Sequence, residues 1–264
     1  MTKVPNSPGL RQSVSLPPER RLTIYGRNPV AEALDDRSVG VLRLFVAEDA
    51  RGAVIERILR VAKARRVSVK RLPAHEVSRI SRHGRQDQGV AADIAAPGLV
   101  TVEDYLARPA PEPDRRLLVA LDALTTQANV GMIIRSALAA GADALVMGRR
   151  GAAGLDPQVL KASAGTALRA TILQGEDLVE MLTALAFAGL EIIGLDAEAN
   201  ETVFDTPNTG PAVLVIGSES TGFSDGIKPL IMRRLSIPMA GGVESLNAAC
   251  AATVAVYAVL RAGR

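Results

Sequence analysis

The sequence is short of the residues on which many protein chemistries depend. Its single cysteine, Cys250, excludes an intramolecular disulfide framework and a multi-cysteine zinc site. Two histidines, His75 and His83, argue against a His-rich metal site. Tryptophan is absent and aromatics amount to three Tyr and four Phe, too few for rows of stacking platforms for single-stranded nucleic acid. The longest apolar run, Ala248 to Leu260, contains Thr253 and is too short to span a bilayer. Gly9 to Leu22 is polar and rich in proline, so no signal-peptide core is expected. Together these absences lead us to expect a soluble, cytoplasmic α/β protein that uses neither metal nor membrane.

What is present is more informative. A chain of 264 residues has room for about two domains and a sizeable core. With 48% hydrophobic and 22% charged residues, it is not disordered as a whole. The net charge of +3 conceals an asymmetry. Residues 1–100 carry 18 Lys and Arg against 10 Asp and Glu, a net +8, and the remainder carries −5. Fifteen of those 18 are arginines, which suit bidentate phosphate contacts. A basic half joined to an acidic half suggests a polyanion partner; a merely solvated basic face is the alternative.

Punctuation divides the chain. Residues 1–21, rich in Pro, Ser and Arg, read as a flexible arm. Residues 22–95 read as a small α/β domain. Its helices begin near Pro29, Ala53 and Ala74, its strands cover 41–47, 67–72 and 89–95, and 82–88 is a polar loop. Residues 96–116, with Pro97, Pro109, Pro111 and Pro113, read as an extended linker that a short helix at 102–106 interrupts. From Leu117 onward apolar strands alternate with helices: strands at 117–124, 144–147, 170–173, 191–195 and 212–216, helices at 129–140, 157–164 and 177–188. A mostly helical 227–235, an extended 236–239 and a long helix at 245–261 complete the pattern. It predicts a parallel sheet covered on both faces, with ligands at the carboxyl ends of the strands.

Three loops then invite inspection. The first, 125–131, carries Asn129 as a candidate cap, Gly131 where a backbone can come close, and Arg135 one turn further on. The second, 217–226, opens Gly217-Ser218-Glu219-Ser220-Thr221-Gly222, which is neither a dinucleotide fingerprint nor a Walker loop. The third runs Ile237-Pro238-Met239-Ala240-Gly241-Gly242-Val243-Glu244-Ser245-Leu246-Asn247, with Ser245 expected to cap the last helix and Asn247 to sit in its first turn. Each alone reads as an ordinary capped helix or Gly-rich turn. Cys250 and Met132, Met147 and Met239 are expected in the core. His75 and His83 are expected at the surface or beside RNA, without chemistry, and Arg149-Arg150 face either RNA or water.

Taken together, Asn-x-Gly-x-x-x-Arg, Gly-Ser-Glu-x-x-Gly and Ile-Pro-Met-x-Gly-x-x-x-Ser-Leu-Asn, in that order at strand ends, resemble the three motifs of the SpoU/TrmH group of RNA ribose methyltransferases, within the SPOUT superfamily. Residues 24–30 (Ile-Tyr-Gly-Arg-Asn-Pro-Val) and 87–91 (Asp-Gln-Gly-Val-Ala) resemble the two ends of the substrate-binding domain of the rRNA-modifying branch. Two departures stand out: Asp87 where that branch often has His, and Ala248-Ala249 where the last motif usually continues Val-Ser.

The resemblance implies a knotted catalytic domain at 117–264, with a deep trefoil knot at its carboxyl end, a rare exception to the rule against threading. It implies S-adenosylmethionine as methyl donor, a homodimer with the site near the subunit interface, and RNA as substrate, large-subunit rRNA ahead of tRNA. Gly217, Ile237, Met239 and Leu246 fall where the family cradles the donor. Arg135, Asn129, Glu219, Ser245 and Asn247 fall on its polar motif positions. No His, Cys or Lys stands in the three loops as a general base. Arg135, the family's usual candidate for that role, has a guanidinium too basic to deprotonate readily, so its expected role is to fix the target phosphate and hydroxyl. Asn129 and Asn247 would orient donor and acceptor, and Glu219 would hold its neighbours. The rival classes are a noncatalytic RNA-binding protein of the same fold and a dinucleotide-dependent oxidoreductase, which lacks its glycine fingerprint.

Overall fold

The computed structural model describes residues 21–37, 39–96, 98–110, 114–150, 154–205 and 210–262. Of the expected arm at 1–21, all but Arg21 lies outside the described residues, and Arg21 already belongs to a strand.

The first unit runs β1 (Arg21–Tyr25), α1 (Arg27–Asp35), β2 (Val41–Ala47), α2 (Ala53–Ala64), β3 (Ser68–Leu72), α3 (Ala74–Ser81) and β4 (Val90–Ala95). Its sheet has the order β1-β4-β2-β3. β4 is antiparallel to both neighbours, and β2 and β3 are parallel. A core of Val30, Leu34, Leu44, Val46, Ile55, Ile58 and Ile94 holds the helices to it. Asp87 is buried and accepts hydrogen bonds from Ser81 Oγ at 2.9 Å and Gly89 N at 2.8 Å. It therefore shapes the turn into β4.

The second unit continues with β5 (Leu99–Val100), α4 (Val102–Leu106), β6 (Leu117–Leu121), α5 (Gln127–Ala140), β7 (Ala144–Gly148), α6 (Pro157–Ala162), β8 (Ile172–Gly175), α7 (Leu178–Phe187), β9 (Glu191–Leu195), β10 (Glu201–Thr202), β11 (Ala212–Ile216), β12 (Arg233–Ser236) and α8 (Ala248–Ala262). The sheet order is β10-β12-β9-β11-β6-β7-β8-β5, and every neighbouring pair is parallel. The apolar strands are buried on both sides because period-two alternation splits them between two cores. Leu117, Val119 and Leu121 join the core beneath α5 and α8, whereas Leu118 and Ala120 join the one beneath α7 and α4. Leu160 and Leu168 of this unit also pack against the core of the first.

The structure changes several expectations. The stretch read as a linker is partly sheet: β5 pairs with β8, Thr101 Oγ1 caps α4 by accepting from Asp104 N at 3.1 Å, and Val102 and Tyr105 are buried. Pro97, Pro111 and Pro113 lie outside the described residues. The segment 227–235 is not helical beyond one 3₁₀ turn at Lys228–Leu230. Pairing with β9 pulls the rest into β12, where Arg233 pairs with Glu201 at 3.0 Å and Glu191 at 3.5 Å, a tertiary override of local propensity. Cys250, expected in the core, is exposed. Of the methionines expected in the core, Met147 is buried, but Met132 and Met239 are exposed. Ala248 and Ala255 of α8 pack into the core of the subunit. No helix among the described residues is long and apolar enough to cross a membrane.

Candidate active site

An all-parallel sheet gathers the carboxyl ends of its strands on one side. Here β6, β11, β9 and β12 lie side by side although they are far apart in sequence, and chain direction across the sheet reverses beside β6. That is the switch-point position where ligands enter such sheets.

Each loop is held by local chemistry. Buried Asp122, at the end of β6, accepts from Ser224 N at 2.7 Å and Ser224 Oγ at 3.0 Å, fixing the far end of the second loop. That loop closes on itself through reciprocal backbone bonds between Ser218 and Gly222 of 3.0 and 2.9 Å. Gly217 is required there, since a Cβ would lie 2.9 Å from the carbonyl of Gly222. Gly131 also answers a close approach, but to α6: its Cβ would come within 2.5 Å of Ala162 Cβ and 2.6 Å of Val159 O.

One network ties the three loops together. Glu219 Oε1 accepts from Asn129 Nδ2 at 3.1 Å, Asn247 Nδ2 at 2.9 Å and Ala248 N at 2.6 Å. Asn247 Nδ2 also reaches Asn129 Oδ1 at 3.1 Å. Neither expected cap is the actual one. Asn129 is the third residue of α5 and turns its buried amide toward the other loops instead. Asn247 caps α8, accepting from Ala249 N at 3.0 Å and Cys250 N at 3.3 Å, so the cap lies two residues later than Ser245.

Beside the network opens a cavity of about 470 Å³, within the usual size of small-molecule sites. Gly217, Ile237, Met239, Leu246, Ser245 and Glu219 all line it. Sequence reasoning missed the turn after β9. Asp196 and Glu198 border the cavity, Asp196 pairing with Arg234 at 2.8 Å. Lys228, also at the wall, is bound to Asp225 at 2.8 Å, and this contact holds the Asp225 carboxyl below the usual range. The rule that ligands sit at strand ends would have flagged the end of β9.

Arg135 stands apart. Six residues beyond Asn129 along α5, it is turned about 120° from it and displaced by about 9 Å. It is exposed, does not line the cavity, and has no hydrogen bond or ion pair among the described residues. Among the described residues no group of three or more His, Cys, Asp and Glu could hold a metal ion.

Comparison with known proteins accords with this geometry. The SpoU rRNA Methylase family matches residues 116–257, and the module described as RNA 2′-O ribose methyltransferase substrate binding matches 23–99. An uncharacterized tRNA/rRNA methyltransferase of Mycolicibacterium smegmatis is 35% identical over 91% of this chain and 76% of its own length. An uncharacterized one from Mycobacterium leprae is 32% identical over 98% and 85%. Among solved structures, the SpoU methyltransferase AviRb of Streptomyces viridochromogenes, in complex with AdoMet, aligns with a TM-score of 0.61 at 26% identity, covering 92% of this chain and 90% of that one. With a family profile spanning more than half of its length, the chain belongs to the SpoU family of RNA methyltransferases.

Proposed function

We propose that the protein transfers a methyl group from S-adenosylmethionine to a ribose 2′-hydroxyl of structured RNA, and that the RNA is large-subunit rRNA. The observation that carries this reading is the Asn129–Glu219–Asn247 network, which locks three strand-end loops around one cavity.

The residues present fit the donor. Ile237, Met239 and Leu246 offer apolar walls for a flat base, and Asp196, Glu198 and Glu244 offer negative charge to a cationic ligand. Gly217 keeps the floor clear, because any side chain there would strike Gly222 and Phe223. The donor, when bound, supplies an electrophilic methyl on a sulfonium. The chain's own part is to hold the acceptor hydroxyl in line with it and to keep both still, which can account for much of a transfer rate. Glu219 anchors the loops, Asn129 and Asn247 orient the two partners, and Ser245 stands at the cavity wall. Arg135 fixes the target phosphate and hydroxyl.

Because Arg135 lies outside its own cavity, the same reading makes the protein a homodimer in which Arg135 serves the partner's cavity. The outer side of α5, with Met132 and Arg135, and the exposed stripe of α8, with Cys250 and Tyr257, are the surfaces available for that pairing. The return of the chain from β12 across the strand ends to α8 is read as the threading of a trefoil knot, supported by the cavity that this segment shares with the loop after β11. The domain division at 22–95 and 117–264 is kept in outline, with residues 99–106 assigned to the catalytic unit.

The test is transfer of labelled methyl from S-adenosylmethionine into separate pools of unmodified rRNA and tRNA, followed by nucleoside analysis. A 2′-O-methyl nucleoside in large-subunit rRNA is the expected product. Label in tRNA alone would replace the substrate, label on a base would overturn the ribose assignment, and RNA binding without transfer would leave a noncatalytic binder.

A further inference from the structure

The charge asymmetry in the sequence does not say which surface of the first unit meets RNA. The structure sorts its basic residues by what already holds them. Arg65 is occupied at the amino-terminal end of β2, where it donates to the carbonyls of Ala33, Leu34, Asp36 and Val39. Arg57 pairs with Asp35. Among the described residues several basic side chains have no ion pair, Arg43, Lys70 and Arg79 among them, and two groups stand out. One is on the outer side and last turn of α2: Arg60, Lys63 and Arg66, all exposed. The other lies at the opposite end of the sheet, on the rim formed by the ends of β2 and β3, the turn before β4 and the first turn of α1.

That rim is continuous. Arg27 Nε donates to Gln88 O at 3.3 Å, and Arg27 Nη1 lies 3.7 Å from where a Cβ on Gly52 would be. Arg51 donates to the carbonyls of Glu48 and Ala50. Arg71 Nη1 donates to Ala47 O at 3.2 Å. These contacts orient each guanidinium without neutralising it. Arg82 and Arg85, exposed in the adjoining turn, have no hydrogen bond or ion pair through their side chains among the described residues. Glu48 and Asp49 are the acidic residues exposed at this rim. The imidazole of His83 stacks on Tyr25 with ring centroids 4.6 Å apart and planes at 16°, while His83 itself is exposed.

The rim also faces the right way. Asn28 and Pro29 share a cleft with Pro157 and Gln158 at the start of α6. Asp156 caps that helix and accepts from Gln127, two residues before Asn129. The Tyr25 phenol is held above its usual range by burial first and then by the charge of Asp156. Through these contacts the rim and the amino end of α5 are neighbours.

We propose that this rim is the RNA-docking face: Arg27, Arg51, Arg71, Arg82 and Arg85 bind backbone phosphates of the substrate, and one unpaired base stacks on the outer face of His83. Arginines on a rim can position a backbone without reading sequence, and an exposed ring gives an unstacked base a platform. The proposal rests on the RNA methyltransferase reading and adds to it which surface captures the RNA.

The test compares full-length variants that each remove three charges. The rim variant is Arg51→Gln, Arg82→Gln, Arg85→Gln; the control is Arg60→Gln, Lys63→Gln, Arg66→Gln. Filter binding to a radiolabelled large-subunit rRNA transcript is followed across salt, with S-adenosylmethionine affinity as the check on folding. The rim variant should lose affinity at least 30-fold, and its log–log salt slope should fall by about 2 to 3. The control should stay within twofold. His83→Ala should weaken binding about tenfold with its salt slope unchanged, as expected for a stacking contact. Equal losses in both triple variants would mean diffuse attraction only, and an unchanged rim variant would place the docking face elsewhere. If the rim variant fails to bind S-adenosylmethionine, Arg85→Gln and His83→Ala decide singly. A wild type that methylates no RNA would sink the enzymatic reading, yet the two binding profiles would still judge the rim.

Discussion

The two units treat their polar residues in opposite ways. In the catalytic unit they satisfy one another: a single oxygen of Glu219 gathers three N–H donors, and Asn247 both caps α8 and bridges to Asn129. In the first unit, the rim arginines donate only to backbone carbonyls and keep their charge for something outside the protein. The contrast separates two tasks. A small cationic donor has to be met by a preorganised site, in which closed hydrogen-bond networks hold geometry. A large polyanion is met by uncompensated charge, which steers and captures it. Arg135 crosses that divide: it sits in the second unit yet, like Arg82 and Arg85 of the rim, its side chain has no hydrogen bond or ion pair among the described residues.

The strongest way to break the contrast is therefore Arg135→Ala. Methyl transfer should fall at least about 100-fold, the scale for removing a donor that acts on the transition state. Donor affinity should hold within twofold by calorimetry, because Arg135 does not line the cavity. Mixing this variant with Glu219→Ala sharpens the point. If Arg135 serves the partner's cavity, half of the dimers in a re-equilibrated mixture carry one intact site, and activity returns to roughly a quarter of wild type. No rescue in subunit mixtures shown to exchange would place Arg135 in its own subunit's site.

Glu219→Ala tests the closed network directly. It leaves the amide of Asn129 and the N–H of Ala248, both buried, without this acceptor, while Asn247 Nδ2 keeps only Asn129 Oδ1. Stability should drop by about 2 kcal/mol in urea, and donor affinity should fall with it. Glu219→Gln keeps one acceptor and should recover part of both. A Glu219→Ala protein with wild-type stability would show that the loops are held by something else.

How far this was legible in the sequence follows from the kind of signal each residue leaves. Strand-end loops announce themselves through Gly217, Asn129 and Asn247, because tight turns and helix starts demand particular residues. The parallel sheet was legible from five apolar runs. The rim was not, since Arg27, Arg51, Arg71 and Arg85 come from four separated stretches that only the sheet brings together. The cavity wall at Asp196 and Glu198 was hidden for a similar reason: a plain acidic turn carries no motif. The cap of α8 was misplaced because Ser245 and Asn247 are both good caps, and only contact with Glu219 selects the second. The position of Arg135 relative to Asn129 was computable from helical geometry alone, yet the motif spacing invited reading them as one cluster.

A smaller effect separates packing from chemistry. Gly131 lies in the first motif but meets α6, not the cavity. Gly131→Ala forces Ala162 and the Val159 carbonyl to move, an overpacking cost of about 1–3 kcal/mol. The melting temperature should fall while the donor dissociation constant, measured well below the transition, stays within twofold. A large loss of donor affinity in a fully folded variant would return Gly131 to the site.

The least change is expected at the end of the sheet opposite the cavity. Tyr105 is 5% exposed, and its hydroxyl finds no hydrogen-bond partner among the described residues. The guanidinium groups of Arg116 and Arg108 lie over its ring at 5.5 and 5.8 Å. Burial is the main reason its phenol is held above its usual range, with Arg116 pulling the other way. A raised acid favours the folded state below the unfolded value, near 10, and that contribution is lost as pH rises through the folded value. Tyr105→Phe keeps the ring and removes both the unpaired hydroxyl and its ionisation. Stability at pH 7 should rise by about 1 kcal/mol, because an orphaned buried polar group no longer has to be desolvated. Between pH 9.5 and 11 the variant should lose less stability than wild type, while methyl transfer at neutral pH is unchanged. If Tyr105→Phe is instead clearly destabilising at pH 7, the hydroxyl has a partner, and this end of the sheet holds a closed polar network like the one around Glu219.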